Sequence, residues 1–490
     1  MNKPIKNILI LFIVLVSLVM ANILLNVYID RNANEISEET IQSVYITNYS
    51  VDIVEKIEIE NEFGKIALVK ENEQWYIQGN EEAELDQGVV YELAYMVTHI
   101  MADITVSEAE DTEDVYGMLA PSSIITTYYE GMAPQSVTIG DKSPIENQYY
   151  LQSSVFRKVY TVDMAYYIYG NIKLEDLLLI KGVNIEHANM KEIKIKNSLS
   201  EEFTIRRTLP ENDITLCYWE FIEPFCHDID TAVMYGSSKY TGMITTIVEL
   251  TGEKVIAIGE NEASKYGLDK PLFSADILAE SGEMQSFSIG EYGDAENYSL
   301  KFSGDGNIYS IAKEKVPFID YSAFTIAEAN LDLINIDVVE NVAIDLPDMQ
   351  INIYIVQSTV KNIDGSTALD ADGNLITENM IYIDNLYEEK NNSSNINDQK
   401  LLFYQDVVTI KIDDLSIEGI EAGEKIGSIL FSLNSEYKDE VMVEFFEYSN
   451  SHYIARKNGE EALYLVNKEQ IDRLSERYQL LLDGNLDCEY

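Results

Sequence analysis

The sequence is poor in the residues from which many active sites are built. Its 490 residues include only 3 Cys, 4 His and 2 Trp. Three cysteines cannot form a disulfide framework, and four histidines leave little material for a histidine-based site. Cations are also scarce, because 34 Lys and Arg stand against 85 Asp and Glu, a formal charge of −51. A surface this acidic repels phosphate backbones, so we expect no nucleic-acid partner.

The motifs of common enzyme classes are missing as well. The chain has no Gly-x-Ser-x-Gly elbow, no Gly-rich phosphate loop and no His-Glu-x-x-His. Pairs of carboxylates occur throughout a chain with 85 acidic residues, so such pairs carry no information about acid–base catalysis. We predict no catalytic residues, no cofactor and no metal site, and expect at most diffuse binding of divalent cations to the acidic surface.

The N-terminal segment predicts the location of the protein. Residues 8–28 are almost entirely apolar, which is close to the ~20 residues that a membrane-spanning helix needs. Lys3 and Lys6 precede this segment and an acidic chain follows it, so the C-terminal bulk should be extracytoplasmic. We predict a cytoplasmic tip and single-pass anchor in the cell membrane over residues 1–30 and a spacer over residues 31–50.

Two other interpretations of the apolar segment stay open. Val19-Met20-Ala21 resembles the small-residue cleavage site of a signal peptide, although the apolar stretch continues beyond it. A buried core helix is the other alternative, but no polar face is visible.

The chain contains internal repeats. Tyr116 and Gly140 are 24 residues apart, and Tyr266 and Gly290 have the same spacing within the same ordered motif. The residues that define the repeat are Trp75, Tyr116, Gly117, Pro121 and Gly140 in the first copy, and Trp219, Tyr266, Gly267, Pro271 and Gly290 in the second.

A third, more diverged copy closes the chain. Tyr453 and Tyr464 keep the 11-residue spacing of Tyr298 and Tyr309, but no Tyr-Gly-x-x-x-Pro element is present. We therefore predict repeat unit 1 over residues 51–185, unit 2 over 186–335 and diverged unit 3 over 336–490, with an exposed polar loop near 388–400.

The residue patterns predict an α+β fold of three related β-rich repeat units with packed helices, preceded by the transmembrane helix. Asp86 is the expected N-cap of a helix that continues through His99 to Met101. Short strands follow, and residues 174–180 are predicted as a closing helix.

The repeated residues have structural interpretations. We expect Gly117 and Gly267 to supply a positive φ at a turn. Gly140 and Gly290, each followed by an acidic residue, suit a turn at the end of a strand. The two prolines of the repeat should start extended segments.

A few other residues suggest chemistry only weakly. Cys217, Cys226 and His227 lack a zinc-site spacing and a fourth ligand, so a disulfide and two free thiols both stay open for the cysteines. Residues 370–374 resemble the start of a calcium loop but lack its later Gly and Glu, which favours a plain turn. His99 is expected on a helix surface.

The ordered motif set resembles a known family. Tyr266–Pro271 reads Tyr-Gly-Leu-Asp-Lys-Pro, an Ile-Gly-acidic element follows about 20 residues later, and a strand ending in Trp lies upstream. This set resembles the family labelled domain of unknown function 4340 (DUF4340), roughly over Val51 to Leu482. Met118-Leu119-Ala120 replaces the Leu-Asp-x portion in the first copy.

The resemblance implies a bacterial or archaeal protein that is anchored by one N-terminal helix and often associated with ABC-type transport systems. The family has no established catalytic residues, so none is carried over. We expect a non-catalytic, extracytoplasmic binding or scaffolding protein with a protein partner in a membrane transport complex. The alternative is an envelope glycan-binding protein or hydrolase, which a deep polar cleft with clustered carboxylates would favour. A purely structural envelope spacer is a third possibility.

Overall fold

The computed structural model describes residues 44–110, 114–208, 214–362, 364–370, 373–386, 394–415, 420–434, 440–460 and 462–483. The chain divides into two compact units after Leu179. Both are mixed helix and strand structures in which β-sheet predominates, which confirms the α+β expectation. The predicted anchor lies outside the described residues, and among those that are described no helix is long and apolar enough to cross a membrane.

The first unit contains a large antiparallel sheet. Its strands are β2 (Val54–Asn61), β3 (Gly64–Glu71), β4 (Gln74–Ile77), β6 (Ile104–Ser107), β7 (Ser123–Tyr129), β8 (Gln135–Lys142), β9 (Gln148–Ser153) and β10 (Val159–Asp163). Two short strands, β1 (Val44–Tyr45) and β5 (Met101–Ala102), form a separate pair. The large sheet has the order β4-β3-β2-β7-β8-β9-β10-β6.

The unit that follows Leu179 contains two further antiparallel sheets. The first is formed by β11 (Met190–Lys196), β12 (Glu202–Arg207), β13 (Trp219–Glu223), β14 (His227–Asp228), β15 (Lys254–Ile258), β16 (Phe273–Ala279), β17 (Met284–Gly290), β18 (Asn297–Phe302) and β19 (Asn307–Ala312). Its order is β14-β13-β12-β11-β16-β17-β18-β19-β15.

The last sheet has the order β22-β21-β20-β23-β24-β25-β26. Its strands are β20 (Val339–Leu346), β21 (Met349–Thr359), β22 (Thr377–Ile383), β23 (Lys425–Leu433), β24 (Glu440–Glu447), β25 (His452–Lys457) and β26 (Tyr464–Asn467).

Helices connect and cover these sheets. The α-helices are α1 (Gln87–Thr98), α2 (Met164–Gly170), α3 (Thr231–Tyr235), α4 (Met243–Val248), α5 (Ala323–Ile326), α6 (Ser394–Val408) and α7 (Lys468–Asp483). Short 3₁₀ segments are Val51–Ile53, Leu174–Leu177, His187–Asn189, Glu260–Tyr266, Lys313–Lys315, Pro317–Asp320 and Ile336–Val338.

The predicted helix after Asp86 is confirmed, although it is shorter than expected. The Asp86 carboxylate accepts hydrogen bonds from the backbone N–H groups of Gly88 and Val89, at 2.9 and 3.2 Å. These bonds satisfy two N–H groups that the first helical turn leaves unpaired. The helix ends at Thr98, because the chain then turns into β5.

The predicted closing helix over 174–180 is wrong in its extent. Only Leu174–Leu177 is helical, as a 3₁₀ turn, and the longer α2 precedes it at Met164–Gly170. The Asp163 side chain caps α2 by accepting a hydrogen bond from the backbone N–H of Ala165, at 2.8 Å.

The predicted polar loop is also wrong over residues 394–400, which form the start of α6; residues 388–393 lie outside the described part. The Asn397 amide bonds the Ile381 N–H and the Asn379 carbonyl, at 3.0 and 3.2 Å, and the Lys400 ammonium bonds the Ile381 carbonyl at 2.8 Å. These polar side chains therefore cover the edge of β22, a role that local sequence does not reveal.

The core lies on the sheet faces. In β7 the residues alternate between buried and half-buried, as in a strand with one face in the core. Strand β23 shows the same alternation over most of its length. Helices α6 and α7 pack together, with the Phe403 and Tyr478 rings 5.8 Å apart.

Candidate functional site

The repeat-defining tryptophans are structural. Trp75 and Trp219 are 3% and 1% exposed. The Gln87 side chain bonds both the N–H and the carbonyl of Trp75, at 2.8 and 3.0 Å. The indole N–H of Trp219 donates to the hydroxyl of Tyr235 at 3.0 Å. Each tryptophan thus fixes a strand to the helix that follows it, and neither lines the cleft described below.

In the first copy, the two glycine motifs lie against each other. Gly117 has the expected positive φ, +77°. The backbone N–H of Asp141 donates to the Tyr116 carbonyl at 2.9 Å. A Cβ on Gly140 would lie 2.1 Å from that carbonyl oxygen, so only glycine allows the approach.

The second copy repeats this arrangement. Gly267 has a φ of +69°, as expected. The Tyr266 carbonyl accepts a hydrogen bond from the Ser299 hydroxyl at 2.6 Å. A Cβ on Gly290 would lie 2.4 Å from the same carbonyl oxygen. The 24-residue spacing therefore brings two segments of backbone into direct contact.

One detail of the sequence interpretation was wrong. Gly140 does not end its strand, because β8 continues to Lys142 through an irregular register against β9. Gly290 is the last residue of β17, as expected. Pro121 and Pro271 each precede a strand by two residues, as the sequence predicted.

Sequence analysis missed a third such contact. Gly423 donates its N–H to the Glu447 carbonyl at 3.0 Å, and a Cβ on Gly423 would lie 2.5 Å from that oxygen. The Gly423–Glu447 spacing is 24 residues, the same as that of Gly267 and Glu291, where a Cβ on Gly267 would lie 2.4 Å from the Glu291 carbonyl oxygen. That spacing was the available signal, but no Tyr precedes this glycine.

A polar cleft of about 230 Å³, lined by several charged side chains, lies in the described part of Ile180–Tyr490. The charged and titratable side chains that define this polar cleft are Arg206, Glu220, Cys226, His227, Asp228, Asp332, Lys457 and Glu460. None of them was predicted as a site residue. They come from strands β12, β13, β14 and β25 and from the connections near them, which tertiary folding brings together.

A buried ion pair lies in the polar cleft. The Lys457 ammonium is 3.5 Å from Asp332 Oδ1, and both side chains are at most 10% exposed. Burial disfavours the charged form of Lys457, but the carboxylates of Asp332 and Asp228 outweigh it and raise its pKa above the ordinary value. Burial raises the pKa of Asp228 to about 7, although the Lys457 charge opposes this shift.

His227 is held as a neutral ring. Burial, assisted by the Lys457 charge, lowers its pKa to about 3. Its Nε2 is 2.8 Å from the Glu328 carbonyl oxygen. A carbonyl can only accept, so Nε2 carries the proton and Nδ1 is an acceptor. Among the described residues, neither His227 Nδ1 nor Asp332 Oδ2 has a hydrogen-bond partner.

These shifts predict an unusual pH dependence. Below about pH 6.5 the unfolded chain binds a proton that folded His227 does not, so stability falls as pH falls toward 3. Between about pH 7 and 4, folded Asp228 holds a proton that the unfolded chain lacks. The contribution of Asp228 to the stability of the fold therefore rises as pH falls. The two contributions oppose each other in the shared window.

In the Asp228→Asn variant, the contribution of His227 to the pH dependence of stability should no longer be opposed by that of Asp228. Relative to the parent, we expect this variant to lose roughly 1 kcal/mol of unfolding free energy for each pH unit between about pH 7 and 5. Urea titration followed by Trp219 fluorescence, in a Trp75→Phe background, measures it. Asp276→Asn, on the exposed face of β16, is the control. Parallel pH profiles for parent and Asp228→Asn would contradict the prediction.

The other candidate residues are structurally ordinary. Cys217 and Cys226 are not joined by a disulfide, and burial raises the pKa of the Cys217 thiol well above its usual range. Asp370 and Asn374 close a hydrogen-bonded turn, at 2.8 Å from the Asn374 N–H to the Asp370 carboxylate. His99 follows α1 and stacks on Tyr95, with ring centroids 4.2 Å apart. No cluster suited to a metal ion occurs among the described residues.

Comparison with known proteins gives one finding. The family model of DUF4340, a domain of unknown function, matches residues 75–271. Comparison with curated proteins and with solved structures gives no match. The matched stretch includes both buried tryptophans and both Tyr-Gly elements. Over these residues the chain resembles the DUF4340 family.

Proposed function

We propose that the protein is a membrane-anchored, extracytoplasmic binding or scaffolding protein, accessory to an ABC-type transport assembly. The apolar segment 8–28, with Lys3 and Lys6 before it, supports the anchor and its orientation. The resemblance to DUF4340 supports the transport association. Non-catalytic binding agrees with the surroundings of the repeat residues: the glycines make close backbone contacts, and the Trp219 indole N–H donates to the Tyr235 hydroxyl within the fold.

The observation that carries the binding proposal is a group of exposed apolar side chains on the first unit. We propose that six side chains of this unit, each 37–55% exposed, form one surface, the tyrosine face: Tyr45, Tyr91, Tyr95, Met101, Met164 and Ile168. Tyrosine and methionine are enriched at the centres of protein–protein interfaces, where they give large contact areas. A partner with an apolar centre and a basic rim would match both this face and the acidic chain.

Strand pairing and hydrogen bonds connect the elements that carry the tyrosine face. Tyr45 is the strand partner of Met101 across the β1–β5 pair. The Tyr166 hydroxyl, on α2, accepts from the Met101 N–H at 3.1 Å and donates to the His99 carbonyl at 3.2 Å. The Tyr169 hydroxyl donates to Glu92 on α1 at 3.0 Å. A face that is already ordered loses little entropy when it binds.

Affinity purification of the full chain from native membranes tests the proposal. We expect recovery of an ABC-type ATPase and permease, and at least a tenfold loss of both with Tyr91→Ser/Tyr95→Ser. Tyr218→Ser, which removes a side chain of the same 55% exposure from the other unit, is the control and should retain them. Absence of transport subunits, or equal loss with the control, would contradict the proposal.

We also propose that the three large sheets are copies of one unit, with the boundaries 51–185, 186–335 and 336–490. The strand orders β4-β3-β2-β7-β8-β9-β10, β13-β12-β11-β16-β17-β18-β19 and β22-β21-β20-β23-β24-β25-β26 have the same connectivity, which supports this relation. Asp86 and Asp230 cap the helices that follow the Trp strands in the first two. The contact between Gly423 and Glu447 supplies a counterpart in the third.

A further inference from the structure

We propose that a groove around Phe324, in the Ile180–Tyr490 unit, binds an extended segment of a partner protein in which a Lys or Arg and an apolar residue are two positions apart. This goes beyond the docking function, because the tyrosine face lies on the other compact unit and neither surface requires the other.

The Phe324 groove consists of two cavities that share one exposed aromatic side chain. Phe324 is 46% exposed and lines both a cavity of about 280 Å³ and a cavity of about 550 Å³. Sites for small ligands measure ~300–1,000 Å³, so each cavity has room for at least one side chain of a ligand. An exposed phenylalanine between two cavities offers a partner a large apolar contact area.

The smaller cavity favours a cationic side chain. Its lining includes the carboxylates of Glu201, Glu202 and Asp414, and no Lys or Arg is among the described residues that line it. Lys194 lies 2.6 Å from Glu202, which leaves Glu201 and Asp414 without an ion-pair partner in the described part of the chain. Asp414 is exposed and Glu201 is half-buried, so solvent reaches both. An ammonium or guanidinium group can pair with these carboxylates while its methylene stem lies against the Phe324 ring.

The larger cavity favours an apolar side chain. Most of its lining residues are small, apolar or aromatic: Ala232, Tyr240, Phe324, Ala327, Ala329 and Ile412. Its charged residues are of both signs: Asp230, Lys239 and Glu328. Because one cation here accompanies two carboxylates, the excess of negative charge is smaller than in the neighbouring cavity, which has three carboxylates and no cation among its described residues.

The thickness of an aromatic ring determines the spacing of the two ligand side chains. Groups that contact opposite faces of one ring are about 7 Å apart, because each carbon–carbon contact is ~3.5 Å long. Side chains on one face of an extended chain are two residues apart, which is about 6.6 Å at ~3.3 Å per residue. We therefore expect residues i and i+2 of the bound segment to lie on either side of Phe324.

The backbone that carries Phe324 is fixed within the fold. The Ala323 N–H donates to Glu201 Oε2 at 2.9 Å, and the Thr325 N–H donates to the Ser322 hydroxyl at 3.0 Å. Ile326, the last residue of α5, is fully buried. A groove that is ordered before binding loses little entropy when a partner binds.

Two other occupants fit the Phe324 groove less well. A second copy of this chain has a formal charge of −51, so its approach is opposed by repulsion between like charges. A free polyamine supplies cations for the carboxylates, but it has no apolar side chain for the larger cavity. A protein segment with both kinds of side chain matches both cavities.

Two peptides of identical composition provide the test. The full chain, in detergent micelles at about 0.15 M salt, is titrated with Gly-Gly-Lys-Thr-Leu-Gly-Gly and with Gly-Gly-Lys-Leu-Thr-Gly-Gly, both with blocked ends. Saturation-transfer NMR measures the affinities, and empty micelles are the blank. Non-specific attraction to the acidic chain is equal for the two peptides, so a difference reports spacing. We expect saturable binding of the first peptide and at least fivefold weaker binding of the second.

Matched variants show whether the peptide binds at the Phe324 groove. Phe324→Ser should weaken binding of the first peptide at least fivefold, and Asp414→Asn should weaken it about threefold, as expected for an exposed ion pair. Tyr354→Ser removes an aromatic side chain of 45% exposure from β21, and Asp276→Asn removes an exposed carboxylate from β16. Neither residue lines the Phe324 groove, so both variants should keep the parent affinity.

Four results would overturn the inference. They are equal affinities for the two peptides, an equal loss in Phe324→Ser and Tyr354→Ser, unchanged binding when Glu replaces Lys in the first peptide, and binding of spermidine as tight as that of the first peptide. The recovery of transport subunits is tested with variants of the other unit. Failure of that experiment therefore leaves the present inference standing, and the reverse also holds.

Discussion

Replacement of Lys457 by Met is expected to lower the free energy of unfolding of the Ile180–Tyr490 unit by about 3–5 kcal/mol. Lys457 and Asp332 are almost fully buried, and burial also raises the pKa of the neighbouring Asp228 to about 7. Without the ammonium, the carboxylates keep the cost of desolvation but lose the charge that offsets it. Urea titration in a Trp75→Phe background, followed by Trp219 fluorescence, reports on this unit.

A shorter but more exposed ion pair provides the control. Lys425 lies 2.7 Å from Glu444, and these side chains are 46% and 24% exposed. Because solvent screens exposed charges, Lys425→Met should cost at most about 1 kcal/mol, although its N–O distance is shorter. Adding Asp332→Asn to Lys457→Met should restore part of the lost stability. An equal loss in both single variants would show that burial does not determine the effect.

Replacement of Gly290 by Ala is expected to cost about 3 kcal/mol, at the upper end of the usual effect of overpacking. The added Cβ would lie 2.4 Å from the Tyr266 carbonyl oxygen and 2.8 Å from the carbonyl carbon of Gly267. These neighbours are backbone atoms, so no side-chain rotation relieves the contact. The same titration followed by Trp219 fluorescence measures the change.

Gly282→Ala is the control that distinguishes the cost of a steric clash from the cost of placing a side chain on a residue with positive φ. Gly282 has a φ of +86°, but a Cβ at this position would have nothing within 4 Å. Its substitution should cost only about 1–2 kcal/mol, the usual penalty for a left-handed conformation. If Gly290→Ala were tolerated as well as Gly282→Ala, the backbone contact between the two motifs would not be a stabilising feature.

Local sequence patterns predicted much of the first unit. Asp86 identified the start of α1, because its capping bonds involve residues two and three positions along the chain. The same patterns failed at residues 394–400, where polarity indicated a loop. Lys400 and Asn397 instead bond β22, and a contact with residues 16–19 positions earlier leaves no periodic signal in the sequence.

The sequence by itself determined the acidic character of the protein, its β-rich α+β class and four of the glycines that make close backbone contacts, Gly117, Gly140, Gly267 and Gly290, because composition, alternation and a repeated spacing can be read from the chain alone. Only the tertiary structure decided which charges meet in the polar cleft. His227, Asp332 and Lys457 are separated by 105 and 125 positions. Their pairing and their shifted pKa values arise from burial between sheets, and burial is a property of the packed chain that no segment carries alone.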